Sequence, residues 1–445
     1  MDIRMIVRLL AKRRQLRAQE HWTRQHLESY QAQALHRVRD YAYAHSSFYK
    51  RFHQGLYDAP LQDLPVLTKG TLMDHFDDLV TDRAIHLRDA QAYMSAQQAD
   101  GRFLDRYRVL ATSGASGHPG VFIVNGAEWA TMLAAGFRFF EWGGIKLMPT
   151  HRVKMAVVAS TSPYHASAQR GGTFQRLLMP QMQLASSEKI PTIVERLNAW
   201  QPELLIGYAS MIRILADEQL AGHLHVAPRT VLSSSEVLTQ ETRRRAVSAW
   251  GEVLFNGYSS TEGAVAAECD AHRGMHLMEN LAIVEVVDKD NHPVPSGTYG
   301  DKILITTLFK FTQPLIRYEM SDSVCLSPNP CPCGRPFRLV EDIQGRVEDI
   351  LSFVGEAGET VPIRPLVFHR IMDTLPVSGW QVVQEADGLL VLLSGVCGTL
   401  DDAMVAGKVH ETLAKQGVAI SVEVRRVTSI PQGPGGKTPL IKSKR

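Results

Sequence analysis

Leu9, Leu10, Leu16, Trp22, Leu27, Tyr30, Leu35, Val38 and Tyr41 recur every three to four residues among Arg, Gln and His. That is the period of an amphipathic helix, so residues 1–56 are expected to form a helical region packed on the rest of the chain. From about 105 to 310 the pattern changes. RVKMAVVAS, ELLIGYAS and RTVLSSSEVL are short apolar runs that break into Gly and Ser, each followed by a stretch of helical period. Such alternation predicts an α/β domain with a largely parallel sheet, whose ligands gather beyond the carboxyl ends of the strands. AIVEVVD and DKILITTLF, joined by NHPVPSGTYG, read as a β-meander closing this large unit over 57–345. Beyond GRVEDI, the strands WQVVQEA, GLLVLLS and SVEVRRV and the helix DDAMVAGKVHETLAKQG make a small α+β unit over 346–445. The closing PQGPGGKTPLIKSKR is too rich in Gly and Pro for a helix and is expected to be loop and tail.

Composition narrows the picture. The 445 residues exceed one ordinary domain, and 44% hydrophobic with 21% charged residues is the mix of a globular chain with a sizeable core. A net charge of +2 gives no reason to expect nucleic acid or an anionic membrane as partner. The Lys12-Arg13-Arg14 run reads as a solvated helix face. No apolar run approaches the roughly 20 residues that span a bilayer, and the arginines of MDIRMIVRLLAKRRQLR deny it a signal-peptide core. A cytoplasmic protein is expected. Five cysteines are too few and odd in number for a disulfide framework; Cys325, Cys331 and Cys333 cluster, with Cys269 upstream and Cys397 apart. In a reducing compartment, clustered cysteines favour metal binding.

Chemistry concentrates in loops. Ala111–Gly120, ATSGASGHPG, follows the apolar pair Val109 and Leu110. Gly114 and Gly117 free backbone N–H groups to face an anion, and Thr112, Ser113 and Ser116 add hydroxyls, a nest suited to phosphate oxygens. Asn256–Gly263, NGYSSTEG, offers an aromatic ring for a base, a Thr for phosphate and a carboxylate for Mg²⁺. IRYEMSD, GRVED and a terminal Gly435-Gly436-Lys437 follow.

In this order these segments resemble the adenylate-forming superfamily of acyl- and aryl-CoA ligases, luciferases and adenylation domains, and in particular its phenylacetate–CoA ligase-like branch. The resemblance runs from about Pro65 to the C-terminus. It implies a large α/β domain with a small C-terminal lid. Thr112, Ser113, Gly114, Ser116 and Gly117 would grip the β- and γ-phosphates of ATP, with Ser235 and Glu236 of SSSEV on the adenine side. In YSSTEG, Tyr258 would lie against adenine, with Ser260 beside it, Thr261 on phosphate and Glu262 toward Mg²⁺. By the same resemblance Asp322 would take the place of the ribose aspartate, Arg346 would lie near the ribose, and Asp349 would be the hinge and Lys437 the catalytic lysine. Departures are Gly120, where a lysine often ends the phosphate loop, and Ser259 in place of glycine; Lys442 and Lys444 lie close to Lys437.

The implied reaction makes an acyl-AMP and pyrophosphate from a carboxylic acid and ATP, then passes the acyl group to CoA. Transfer to an amine or a carrier-protein thiol is the alternative, and a nucleotide- and zinc-binding interaction protein is the non-enzymatic one. The acyl pocket is expected from Tyr164, His165, Phe174, Gly207, Tyr208 and Ala209, whose rings and small residues suit a flat aromatic acid; Tyr208 and Phe174 are equally readable as core. Cys269, Cys331 and Cys333 with His276, or His272 in its place, have the ligand types of a structural Zn²⁺ site, as in some members of the branch. Buried thiols without metal are the plainer reading, and Cys325 is a spare. The partners expected are thus an acid, ATP and an acceptor, with a homodimer allowed.

Overall fold

The computed structural model describes residues 3–96, 102–112, 119–146, 151–160, 164, 169–170, 173, 179–263, 265–346, 349–355, 358–396, 398–431 and 440–443. A nine-stranded sheet forms its centre. Met155–Ala159, Gln181–Ala185, Leu204–Gly207, Thr230–Ser234 and Leu254–Ser259 run parallel, as the strand–helix alternation predicts. Beyond Leu254–Ser259 the sheet turns antiparallel through Val265–Glu268, Met275–Leu277, Leu339–Arg346 and Asp322–Leu326. The meander of Ala282–Val287, Lys302–Thr307 and Tyr318–Met320 is a separate three-stranded antiparallel sheet.

The helix Gly126–Trp142 is apolar on nearly every side and buried along almost its whole length, as such a helix must be in water. Asn125 caps it with its side chain, and Glu128 returns the bond to the Asn125 N–H. Its opposite end meets the sheet so closely that a Cβ on Gly257 would stand 2.4 Å from Phe139 Cε1. Only glycine lets that strand lie there, next to Tyr258. The N-terminal helices Ile3–Gln19 and Arg24–His45 are not an appendage. Met5, Leu9, Leu16, Leu27 and Val38 belong to the same apolar core as Trp129 and Phe140. Buried Arg138 ties the layers together through Glu20 at 3.2 Å and the Leu16 carbonyl.

Residues from Leu351 to Ile441 build a core of their own, around Phe368, Trp380, Val391 and Val409. Its four-stranded sheet pairs Val377–Glu385 with Gly388–Val396 antiparallel, flanked by Ser421–Val427 and Ile441–Ser443 in parallel. The last pairing corrects the expectation of a loop and tail. Ile441 is apolar and buried against Val382, so three residues suffice to add an edge strand despite the Gly/Pro-rich approach. Among the described residues, no helix is long and apolar enough to cross a membrane.

Candidate active site and metal centre

The parallel strands end where the predicted motifs lie. Leu204–Gly207 feeds the helix Ala209–Leu220 through Tyr208, and Thr230–Ser234 ends at Ser235, whose φ of 71° turns the chain sharply. That turn delivers Glu236 to the neighbouring helix start, where its Oε2 accepts the Ser210 N–H at 2.9 Å. A carboxylate there complements the positive helix end. Arg108–Ala111 leads into Thr112, whose hydroxyl accepts the Gly120 N–H at 2.8 Å while its own N–H donates to the Gly120 carbonyl at 3.0 Å. These two bonds join the residues on either side of the segment expected to grip phosphate. Ser113, Gly114, Ser116 and Gly117 within it lie outside the described residues, as do His165, Phe174 and Lys437.

Tyr258 leaves the sheet at the end of Leu254–Ser259 and donates its hydroxyl proton to Asp322 Oδ2 at 2.8 Å, across 64 residues of sequence. Ser260, Thr261 and Glu262 make the turn that follows, closed by the Gly263 N–H on Ser260 Oγ at 3.1 Å. Asp322 opens the strand Asp322–Leu326 and pairs in register with Arg346, the last residue of Leu339–Arg346. The residues expected at the ribose are thus cross-strand neighbours, with Asp349 just beyond. Of the expected acyl pocket, Tyr164 is half-buried and donates to the Tyr93 carbonyl at 3.3 Å. Tyr208 and Ala209 are buried, and the Tyr208 hydroxyl accepts the Ser160 N–H at 2.9 Å. Tyr208 packs with Ile212 and Val158 in the apolar layer on that face of the sheet, and a Cβ on Gly207 would meet Ile212 at 3.1 Å.

One residue at this edge escapes sequence reasoning. Lys310 is 1% exposed, and its Nζ donates to the Thr261 carbonyl at 3.2 Å. Burial draws its pKa down to about 8. The available signal was a lone lysine between Phe309 and Phe311.

The cysteine cluster forms where the antiparallel strands meet the loop before Leu339. The ligand atoms of Cys269, His276, Cys331 and Cys333 all lie within 4.8 Å of one another. Cys269 Sγ is 3.7 Å from Cys331 Sγ, and His276 Nε2 is 3.4 Å from Cys269 Sγ and 3.3 Å from Cys333 Sγ. A tetrahedral zinc with bonds of about 2.3 Å to sulfur and about 2.0 Å to nitrogen needs edges of about 3.8 and 3.6 Å. The four residues fit that ion with small movements. His276 Nδ1 lies 3.3 Å from the Phe337 carbonyl, which orients the ring and leaves Nε2 toward the sulfurs. Burial lowers the His276 pKa to about 4, so the imidazole is the neutral, ligating form. His272 is directed elsewhere, to Glu268 at 3.2 Å and the Phe255 ring. Cys325 is buried outside the group, against the Leu326 carbonyl.

The fold sets the motif segments along one sheet edge and a second small core from Leu351 onward, an arrangement that solved structures share. A 2-hydroxyisobutyryl-CoA ligase solved in the postadenylation state, in complex with R3-HIB-AMP, superimposes with a TM-score of 0.73 over 95% of this chain and 90% of its own, at 19% identity. No family model matches the sequence. A phenylacetate–coenzyme A ligase of Thermus thermophilus is 29% identical over 189 residues, 41% of this chain and 39% of that protein. Protein CapK of Staphylococcus aureus is 22% identical over 396 residues, 85% of this chain and 79% of its own length. The chain thus shares the fold of the 2-hydroxyisobutyryl-CoA ligase, and over part of its length it is similar in sequence to phenylacetate–coenzyme A ligases, spanning well under two thirds of the Thermus protein.

Proposed function

We propose that the chain activates a carboxylic acid with ATP and passes the acyl group to CoA. The observation that carries this reading is the Tyr258–Asp322 contact, which joins the segment expected at the base to the one expected at the ribose. An acid carboxylate oxygen attacks the α-phosphorus, and the bond to the bridging oxygen of pyrophosphate breaks. The CoA thiol sulfur then attacks the acyl carbon, AMP leaves, and the thiol proton passes to solvent. Reactions at phosphorus are accelerated by positioning and by neutralising charge on the phosphate oxygens. Thr112 and the loop it closes would orient the pyrophosphate end, and Thr261 would donate its hydroxyl to a phosphate oxygen. Glu262 would hold Mg²⁺, whose chemistry is to neutralise that charge. Lys437 would reach the reacting oxygens from the small unit over 346–445, turning about Asp349 against the large unit over 57–345 with the 1–56 helices packed on it.

Tyr164, Gly207 and Ala209, with His165 and Phe174, are the proposed acyl lining, and an aromatic acid is the proposed substrate class. Cys269, His276, Cys331 and Cys333 would hold a zinc that braces the antiparallel edge and takes no part in the reaction. Acid-dependent pyrophosphate exchange across aryl, arylacetic and fatty acids tests the first half, and CoA-dependent AMP release the second. An aryl or arylacetic acid should give the fastest exchange. AMP release that responds to an amine or a carrier protein and not to CoA would replace the acceptor. No exchange with any acid would end the reading.

A further inference from the structure

A lysine buried to 1% exposure is costly to keep unless its charge is used. Lys310 stands among three elements. Its Nζ donates to the Thr261 carbonyl at 3.2 Å, within the Ser260–Gly263 turn. It also lies 5.6 Å from the Phe122 ring centroid, and Phe122 in turn packs where a Gly120 Cβ would be, at 3.0 Å, on the strand returning from the phosphate loop. A Cβ on Gly263 would be 3.6 Å from Lys310 Cε. Two carboxylates, Glu128 and Glu262, attract the ammonium and Arg170 opposes it. Glu128 is already engaged, since Oε1 accepts the N–H groups of Phe311 and Thr312 at 2.7 and 2.8 Å and Oε2 that of Asn125 at 2.8 Å. It therefore anchors the segment carrying Lys310 and is also the stronger of the two attractions on the ammonium, while Glu262 lies in the turn that Lys310 bonds.

An ammonium has three N–H donors, and one is accounted for among the described residues. Gly120, meanwhile, stands where the resembling proteins often have a lysine at the end of the phosphate loop. We propose that Lys310 is a positioning residue for the phosphate end of the nucleotide site, holding the Thr261–Glu262 turn against the strand returning from the phosphate loop and supplying there the positive charge that Gly120 does not. The inference rests on the acid-activating reading. It assigns to one buried side chain a task shared by two loops far apart in sequence.

The test compares binding of AMP and of Mg²⁺ with the non-hydrolysable ATP analogue AMPCPP, by calorimetry, in wild type and three variants. Lys310→Met should weaken Mg·AMPCPP by about tenfold or more, the worth of a hydrogen bond to a charged group, and leave AMP within about twofold. Lys310→Gln keeps a donor for Thr261 without the charge and should show the same split. Lys310→Arg should recover most of the lost affinity. In pyrophosphate exchange the loss should fall on kcat and on KM for ATP, with KM for the acid unchanged. Equal loss of AMP and Mg·AMPCPP, or no loss of either, would overturn the positioning role. If Lys310→Met proves insoluble, the split in Lys310→Gln decides. Wild type that fails to bind Mg·AMPCPP would refute the acid-activating reading first and this inference with it, whereas a fault in this inference alone leaves wild-type binding and exchange intact.

Discussion

The Tyr258 hydroxyl and the Asp322 carboxylate meet at 2.8 Å in a half-buried setting, where a hydrogen bond to a charged acceptor is strong. Tyr258→Phe keeps the ring proposed to stack on the base and removes the restraint on Asp322. The expected result is a rise of roughly threefold to tenfold in KM for ATP with KM for the acid unchanged, read by pyrophosphate exchange. An equal rise in both would assign Tyr258 to general packing. Lys437, proposed to act on the reacting oxygens, belongs to the same scale but a different step. A group that acts on charge developing in the transition state changes rate and leaves ground-state binding alone. Lys437→Ala should therefore reduce pyrophosphate exchange by about two orders of magnitude or more while Mg·AMPCPP still binds in calorimetry. Full activity in that variant would transfer the role to Lys442.

Among elements, the helical N-terminal region carries its own pH dependence. His53 is fully buried between Tyr43 and Tyr49, and Nδ1 lies 3.2 Å from the Tyr43 hydroxyl. Burial, aided by the Arg39 charge, lowers its pKa to about 4 from the ordinary 6.5. The unfolded chain then takes up the proton first as pH falls, so the stability held above pH 6.5 drains away between 6.5 and 4. Melting followed from pH 7 to 4.5 should show a loss of roughly 1–3 kcal/mol over that window, and His53→Leu should flatten it. A variant curve with the same slope would place the titrating group elsewhere. The Cys269, His276, Cys331 and Cys333 cluster proposed to hold zinc joins the strand Met275–Leu277 to the loop before Leu339. Cys331→Ser, or chelation, should lower the melting temperature and soluble yield more than the specific activity of what remains folded. Elemental analysis finding no zinc, with native thiols freely titratable, would end the zinc proposal.

At the scale of the whole molecule, polar bonds link the small core to the helices of the large unit, and among the described residues no apolar cluster spans both. Arg213, 3% exposed on the helix Ala209–Leu220, donates to the Val377 carbonyl at 2.8 Å. Arg245 on the next helix donates to the Asp373 carbonyl at 3.3 Å. Removing a buried donor leaves its carbonyl unsatisfied at a cost of about 1–3 kcal/mol. Arg213→Ala should thus weaken the attachment of the small core, seen as calorimetric melting in two steps and faster proteolysis between residues 340 and 351. A single transition at the wild-type temperature, with unchanged proteolysis, would show that the arginine does not hold the two cores together.

Much of this was open to the sequence, because the signals are local. Apolar period and Gly/Ser breaks at strand ends predicted the parallel strands, the meander and the strands and helix of the small α+β unit, motif order carried the resemblance whose fold the solved structures share, and the ligand types pointed to Cys269, Cys331 and Cys333. What folding decided is long-range. Sequence spacing sets both His272 and His276 near Cys269, but strand pairing of Met275–Leu277 with Leu339–Arg346 is what carries His276 to Cys331 and Cys333, while His272 turns to Glu268. The pairing of Asp322 with Arg346 and the bond from Tyr258 to Asp322 likewise depend on sheet register, which no single segment contains. Ile441–Ser443 became a strand because Val382 and its neighbours offered an open edge, and that overrode a weak local preference. Lys310 was hidden for the same reason. Only the packed structure shows that a charged residue has been taken out of water, and a charge kept there must be held by partners that the linear pattern cannot display.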